Sequence, residues 1–102
     1  MVEVQGKVIA GGVMLVWPFD IVVASEDATF QDNTVAMGIC GAEFFNHPYE
    51  FGVRKAKEML FTSDEVSAQE AHRLGAVNHV VPKDQLTDFT MDLARKISAK
   101  NL

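Results

Sequence analysis

Residues 6–30 have the sequence GKVIAGGVMLVWPFDIVVASEDATF, in which two β-prone runs flank an apolar segment. The first run ends at Gly11 and Gly12, and the second covers residues 21–24, Ile-Val-Val-Ala, whose β-branched side chains are typical of strands. Residues 12–17 are apolar on every side, so periodicity alone does not separate a buried strand from a short buried helix. Because glycines permit a tight turn, we expect Gly11 and Gly12 to lead from a strand into a helix.

Strands and helices follow one another on both sides of this segment. Residues 2–5 alternate as a strand, and residues 28–30 and 78–81 have the composition of short strands, the last of them closed by Pro82. Three segments have helical signals: a stripe at Val53, Ala56 and Leu60, a capped segment from Ser67 to Glu70 that stops at Gly75, and residues 84–99. This order within so short a chain predicts an α/β fold.

Composition limits the class of protein. The chain has 102 residues, 48% of them hydrophobic, with 9 basic and 14 acidic side chains and a net charge of −5. It is too apolar for intrinsic disorder, and its acidic balance argues against nucleic acid, whose binding proteins carry a basic surface. No apolar run reaches the ~18 residues of a membrane span, and the single cysteine, Cys40, suits a reducing compartment. We therefore expect a cytoplasmic globular chain with neither a nucleic-acid nor a membrane partner.

The apolar side chains of residues 8–24 need more burial than the rest of this chain can provide. Parallel strands require burial on both faces, and about three helices are available to supply it. We therefore expect the chain to be part of something larger or to form an oligomer.

Four segments together resemble the crotonase superfamily, the enoyl-CoA hydratases and isomerases. They are residues 6–30, residues 35–38 (VAMG), residues 54–60 (RKAKEML) and residues 67–82 (SAQEAHRLGAVNHVVP). The resemblance implies a spiral of ββα turns, incomplete here at both ends, with residues 1–82 as a central core segment and residues 83–102 as a C-terminal helix. It also implies an acyl-CoA or enoyl-CoA thioester as partner, no cofactor beyond the coenzyme A of the substrate, and a homo-trimer or hexamer.

The resemblance assigns a role to the Gly11–Gly12 turn. Members of the family hold the thioester carbonyl oxygen with two backbone amides, which stabilise an enolate, and Gly11 matches the glycine that supplies the second amide. The loop that supplies the first has no counterpart within residues 1–102, so we expect the isolated chain to lack appreciable hydratase activity. From the residues alone, the two glycines favour a strand-to-helix turn that binds nothing over an anion-binding or oxyanion-binding turn.

Both glutamate positions of the family carry other residues in this chain. Met14 falls on the first position and Thr34 on the second, and neither side chain is a useful acid or base near neutral pH. The resemblance therefore implies an enzyme other than a standard two-glutamate hydratase, or a non-catalytic subunit that binds CoA thioesters or serves assembly. Gly12, Met14, Thr34 and Phe44 are expected to line the substrate site.

Two carboxylates are candidates for the missing acid or base. Asp32 precedes Thr34 in the same loop, and Glu43 follows that loop next to Phe44. A single carboxylate beside an oxyanion hole suffices to move a proton next to a thioester. The alternative is structural, with Asp32 capping a turn and Glu43 beginning a helix.

The remaining polar residues favour ordinary roles. We expect His47, in the loop sequence Asn-His-Pro-Tyr, to be a partly buried hydrogen-bonding group rather than a proton shuttle, and His72 and His79 to be solvated. No histidine pair has metal-ligand spacing, so no metal is expected. Two alternatives remain for the basic cluster at the start of the helix near residue 54, a contact with CoA phosphates or a solvated face. The cluster consists of Arg54, Lys55 and Lys57.

Overall fold

The computed structural model describes residues 1–39 and 46–100. Six short strands and five helices occur in these ranges. The strands are β1 (Val2–Val4), β2 (Lys7–Ile9), β3 (Val22–Ser25), β4 (Thr29–Gln31), β5 (Val66–Ser67) and β6 (His79–Val81). The helices are α1 (Gly11–Val16), α2 (His47–Phe51), α3 (Val53–Thr62), α4 (Ala68–Arg73) and α5 (Leu86–Ser98), and a 3₁₀ turn (Lys83–Gln85) precedes α5.

The strands form two sheets of three strands each. The first has the order β1-β3-β6 and is entirely parallel, with Glu3 opposite Val23 and Val23 opposite His79. Every residue of its central strand β3 is buried. A strand covered on both faces needs a continuous apolar run instead of alternation, which explains the Val-Val-Ala sequence of β3.

The second sheet positions the candidate site. Its order is β2-β4-β5, with β2 and β4 parallel and β5 antiparallel to β4. Ile9 lies opposite Gln31, the last residue of β4. Because parallel strands end at the same edge of a sheet, the turn that contains Gly11 and the turn that contains Asp32 lie side by side.

The buried apolar residues of the described ranges form one hydrophobic core between the sheets and helices. Helix α1 contributes the buried residues Val13 and Val16, followed by Trp17, and α3 contributes Ala56 and Met59. On the opposite face of α1, Leu15 is 74% exposed. This exposed apolar surface agrees with the expectation that residues 8–24 have more apolar area than the chain covers.

Most of the predicted elements are confirmed, with two differences. The apolar segment after Gly11 is helical, Ser67 caps α4 by accepting from the Glu70 amide, and Gly75 ends it with a positive φ of 89°. The prediction of a loop around His47 is wrong, because His47 is the first residue of α2. Strand β5 was not predicted, since two residues carry too little periodicity to be recognised.

Several predictions concern residues that the structure does not describe. Cys40, Glu43 and Phe44 lie outside the described ranges. Within those ranges, no helix is both long and apolar enough to cross a membrane.

Candidate active site

The candidate site begins at Ala10, where β2 ends. The Ala10 amide donates to the Gln31 carbonyl at 2.8 Å, which extends the pairing of β2 with β4 by one residue. Ala10 then adopts φ 47° and ψ −101°, a backbone conformation that alanine rarely takes. Such conformations cost about 1–3 kcal/mol and are found preferentially at functional sites. The strain at Ala10 is maintained by hydrogen bonds on both sides of the residue.

This turn sets the direction of the Gly11 amide. The Ala10 carbonyl accepts the Met14 amide at 3.1 Å and therefore points along α1. In a trans peptide the N–H is opposite to the C=O, so the Gly11 N–H points away from the helix. Within residues 1–39 and 46–100, no backbone carbonyl accepts this amide, and Gly11 is exposed. The Gly11 N–H is thus directed outward and can donate to a ligand.

Gly11 and Gly12 differ in the space around their Cα atoms. A methyl group added at Gly11 would have no heavy atom within 4 Å, whereas one added at Gly12 would lie 3.5 Å from Val8 Cγ1. Met14 lies one turn further along α1 and is half-buried, on the helix face that Gly11 begins. The space beside the candidate site is therefore on the Gly11 side of the turn.

Asp32 follows β4 and is almost fully enclosed, with 1% of its surface exposed. Its Oδ1 atom accepts two hydrogen bonds from Thr34, one from the amide at 3.0 Å and one from the hydroxyl at 2.7 Å. Its Oδ2 atom lies 2.7 Å from Nε2 of His47. All three bonds fix the orientation of this carboxylate, and the turn-capping role considered for Asp32 is observed.

His47 is fully buried at the start of α2. Its ring contacts the edge of Trp17, with ring centroids 4.3 Å apart and planes inclined by 77°. Trp17 in turn contacts Phe51 of α2, with centroids 6.0 Å apart. His47 thereby joins α2 to the end of α1 and to the turn after β4. The expected hydrogen-bonding role of His47 is confirmed.

Burial and hydrogen bonding act in opposite directions on the Asp32–His47 pair. Burial raises the pKa of Asp32, but the hydrogen bonds from Thr34 and His47 outweigh it and hold this pKa below its ordinary value. Burial lowers the pKa of His47 and outweighs the opposing effect of Asp32. The pair is therefore an ionised carboxylate and a neutral imidazole at neutral pH. Since an ionised carboxylate only accepts hydrogen bonds, His47 Nε2 is assigned the proton and donates it to Asp32.

The other polar candidates are mostly exposed or have partners outside the Asp32–His47 pair. His72 and His79 are exposed, as predicted, and His79 packs against Phe89 with ring centroids 5.0 Å apart. Lys55 forms an ion pair with Glu58 at 3.0 Å, while Arg54 is exposed. In the part of the chain that the structure describes, no three His, Cys, Asp or Glu side chains are grouped as metal ligands.

The sequence indicated some of these contacts and missed others. It placed Gly11 at a strand-to-helix turn and Asp32 beside Thr34, because both features are local. It gave no sign that His47 pairs with Asp32, or that Trp17 contacts His47. The sequence did contain a signal for the start of α2. Pro48 is the second residue of this helix, and proline is often found in the first turn of a helix.

Comparison with solved structures identifies the class of fold. A crystal structure of a probable enoyl-CoA hydratase from Mycobacterium smegmatis superimposes with a TM-score of 0.94 at 47% identity, covering 97% of this chain and 41% of that one. The fold is therefore the crotonase fold of the enoyl-CoA hydratases, and the α/β prediction is confirmed. The family model described as enoyl-CoA hydratase/isomerase matches residues 1–102, and the chain belongs to this family.

Curated relatives show how much of the family's length the chain spans. It is 48% identical over 97 residues to EchA13 of Mycobacterium tuberculosis, covering 94% of this chain and 30% of that protein. It is 32% identical over 99 residues to the methylmalonyl-CoA decarboxylase of Escherichia coli, covering 95% of this chain and 38% of that enzyme. The chain thus spans about a third of the length of these relatives.

Proposed function

We propose that this protein binds an acyl-CoA or enoyl-CoA thioester and that the Gly11 amide stabilises the oxyanion of a thioester enolate. The observation that carries the proposal is the direction of this amide, which points away from α1 beside open space. An amide donor held in place before the reaction stabilises a developing negative charge without having to reorganise. The relatives' names, which refer to CoA thioesters, support the same substrate class.

The residues near this amide favour a reaction other than two-glutamate hydration. Met14 and Thr34, at the family's two glutamate positions, supply no carboxylate. Asp32 is buried and its carboxylate accepts three hydrogen bonds, so it is a weak base. These contacts favour a positioning role for Asp32, and Glu43 stays a candidate acid or base on its place in the sequence.

An enolate can also form without a general base. Loss of CO₂ from a carboxylate β to a thioester carbonyl leaves its electron pair on the enolate, for which an oxyanion donor is the main requirement. One relative is named a methylmalonyl-CoA decarboxylase. Isomerisation with one carboxylate and decarboxylation are therefore both compatible with the proposal.

The second candidate function is a non-catalytic subunit that binds CoA thioesters or serves assembly, as a homo-trimer or hexamer in the cytoplasm. The replacement of both glutamates by Met14 and Thr34 favours it. We also propose that the 102-residue chain alone has no appreciable hydratase activity, since the family's first oxyanion donor has no counterpart within it.

Calorimetric titration with butyryl-CoA, together with exchange of its α-proton in D₂O, tests the proposal. Binding with α-proton exchange supports an enzyme that stabilises an enolate. Binding without exchange or turnover of any acyl-CoA tested supports the second candidate function. Absence of binding to butyryl-CoA and crotonyl-CoA would refute the enzyme and the thioester-binding subunit, and would leave only the assembly role.

A further inference from the structure

We infer that helix α5 pairs in antiparallel orientation with α5 of a second copy of this chain, around a two-fold axis. The contact surface of each copy is one side of α5 together with the first residue of β6, and we call it the α5 flank. It consists of His79, Phe89, Asp92, Leu93 and Lys96. The contact requires no thioester and is therefore independent of the proposed function.

The α5 flank lines a groove between α5 and β6. Helix α5 packs on β1 and β3, with Leu86 and Thr90 buried, and beside β6 it leaves a groove of about 440 Å³. The rings of His79 and Phe89 contact each other in this groove, with centroids 5.0 Å apart. Phe89 and Leu93 are only half-buried, so the groove has apolar surface that is open to solvent.

The helical residues of the α5 flank form one continuous stripe. Phe89, Asp92, Leu93 and Lys96 are spaced as i, i+3, i+4 and i+7, which places them on the same side of the helix. A stripe with this spacing is the usual contact surface for another helix. From its N-terminal to its C-terminal end the stripe presents an aromatic, an acidic, an aliphatic and a basic side chain.

Charge complementarity identifies the second helix as another copy of α5. In an antiparallel pair, Lys96 of the second copy lies opposite Phe89 and one helical turn from Asp92. The two-fold axis repeats this contact, because residues i and j then meet twice. In a parallel pair Asp92 would face Asp92 and Lys96 would face Lys96, and such like-charge contacts are unfavourable. The stripe is thus complementary to itself in the antiparallel direction.

Both charged residues of the stripe are available for this contact. Asp92 accepts from Arg95 at 2.9 Å, but both side chains are exposed, and an exposed pair of this kind contributes little stability. Among the ion pairs of the described residues, none involves Lys96. The aliphatic part of a lysine side chain can cover an aromatic ring while its ammonium group reaches a carboxylate. Lys96 of the second copy can therefore contact Phe89 and Asp92 together.

The symmetry and size of the contact determine what it assembles. A two-fold contact forms a dimer from single chains and a hexamer from two trimers. A contact between two short helices is expected to bury less than the about 1,200 Å² of a standard interface. We therefore expect association that is reversible and depends on concentration.

Sedimentation equilibrium of the full chain at increasing concentration tests the inference. The chain should form a dimer, or a hexamer if it is already trimeric. Asp92→Lys and Lys96→Asp, each tested alone, bring like charges together and should raise the dissociation constant about tenfold or more. Asp64→Lys is the matched control, because exposed Asp64 lies outside the α5 flank and the net charge changes as in Asp92→Lys. It should leave the dissociation constant within about twofold.

Mixing the two variants separates the contact from an effect on folding. In a pair of one Asp92→Lys chain and one Lys96→Asp chain, a lysine of the first faces an aspartate of the second at both ends of the contact. The equimolar mixture should therefore associate within about twofold of the unchanged chain, although neither variant does so alone. Far-UV circular dichroism of each variant checks that α5 is intact.

Three results would overturn the inference. The first is an unchanged chain that stays monomeric or trimeric at every concentration reached. The second is association that both single variants retain, since another surface would then hold the copies together. The third is a mixture of the two variants that associates no better than either variant alone. Butyryl-CoA binding is measured separately, so none of these results decides the proposed function.

Discussion

Asp32 Oδ2 and His47 Nε2 lie 2.7 Å apart across fifteen residues of chain, and both side chains are buried. The contact joins the turn after β4 to the first residue of α2. Among the residues that the structure describes, it is the only close contact between an acidic and a basic side chain in which both side chains are buried. It therefore controls both the stability of this region and the arrangement of the candidate site.

Removal of the His47 side chain should lower the free energy of unfolding. His47→Ala leaves the Asp32 carboxylate buried without its imidazole donor and leaves a cavity beside Trp17. Loss of a hydrogen bond to a buried charged group costs about 1.5–3 kcal/mol of unfolding free energy, and the cavity adds to this loss; urea denaturation measures the sum. His47→Gln keeps an N–H donor and should cost less. Tyr49→Ala is the control, since Tyr49 lies on the same helix and is exposed, and an equal loss in Tyr49→Ala would contradict the prediction.

Stability should fall as the pH is lowered. The pKa of His47 in the folded chain lies below 6.5. As the pH falls below 6.5, the unfolded chain therefore binds a proton at His47 more readily than the folded chain does, and the free energy of unfolding decreases. The lowered pKa of Asp32 adds stability that is lost at still lower pH, as the pH falls through that folded pKa. Burial raises the pKa of Glu50, which acts in the opposite direction.

Urea denaturation between about pH 5 and pH 7 measures this dependence. His47→Gln should flatten the slope below about pH 6.5, where the histidine titrates. The same substitution at exposed His72 serves as the control. A slope that survives unchanged in His47→Gln would rule out His47 as its source.

A methyl group beside the proposed oxyanion donor should weaken ligand binding and leave the fold intact. Gly11→Ala places the methyl in open space, and alanine is favoured over glycine in a helix by about 0.5–1 kcal/mol. We expect a loss of about tenfold in butyryl-CoA affinity by calorimetry, because the methyl hinders the approach of the carbonyl oxygen. Leu15→Ala, on the exposed face of α1, is the control. Undiminished affinity in Gly11→Ala would argue against the oxyanion role.

The contribution of α3 to the core can be measured on one helix. Met59 is 1% exposed and Phe61 is 73% exposed. Met59→Ala should lower the unfolding free energy by about 2–5 kcal/mol, since it removes buried methylenes and leaves a cavity. Phe61→Ala should change it by less than about 0.5 kcal/mol. Equal effects in thermal or urea unfolding would show that the two faces of α3 are not packed as described.

Local signals made most of the elements predictable. The apolar run of β3, the Ser67 cap and the Gly75 stop of α4 each depend on residues close in sequence, and the structure has all three. The segments that resemble the crotonase superfamily led to the family, which the family model and the solved structures confirm. Helix α2 was missed because its five residues are too few for a helical period to show.

The sequence by itself determined the α/β order of elements, the family, and the absence of glutamates at Met14 and Thr34. The tertiary structure alone decided where the polar groups of the candidate site point. The direction of the Gly11 amide depends on hydrogen bonds from Ala10 to Gln31 and from Met14 to Ala10, and the state of Asp32 depends on His47. The Ala10–Gln31 and Asp32–His47 contacts join residues distant in the chain, and their geometry arises only when strands pair and side chains become buried.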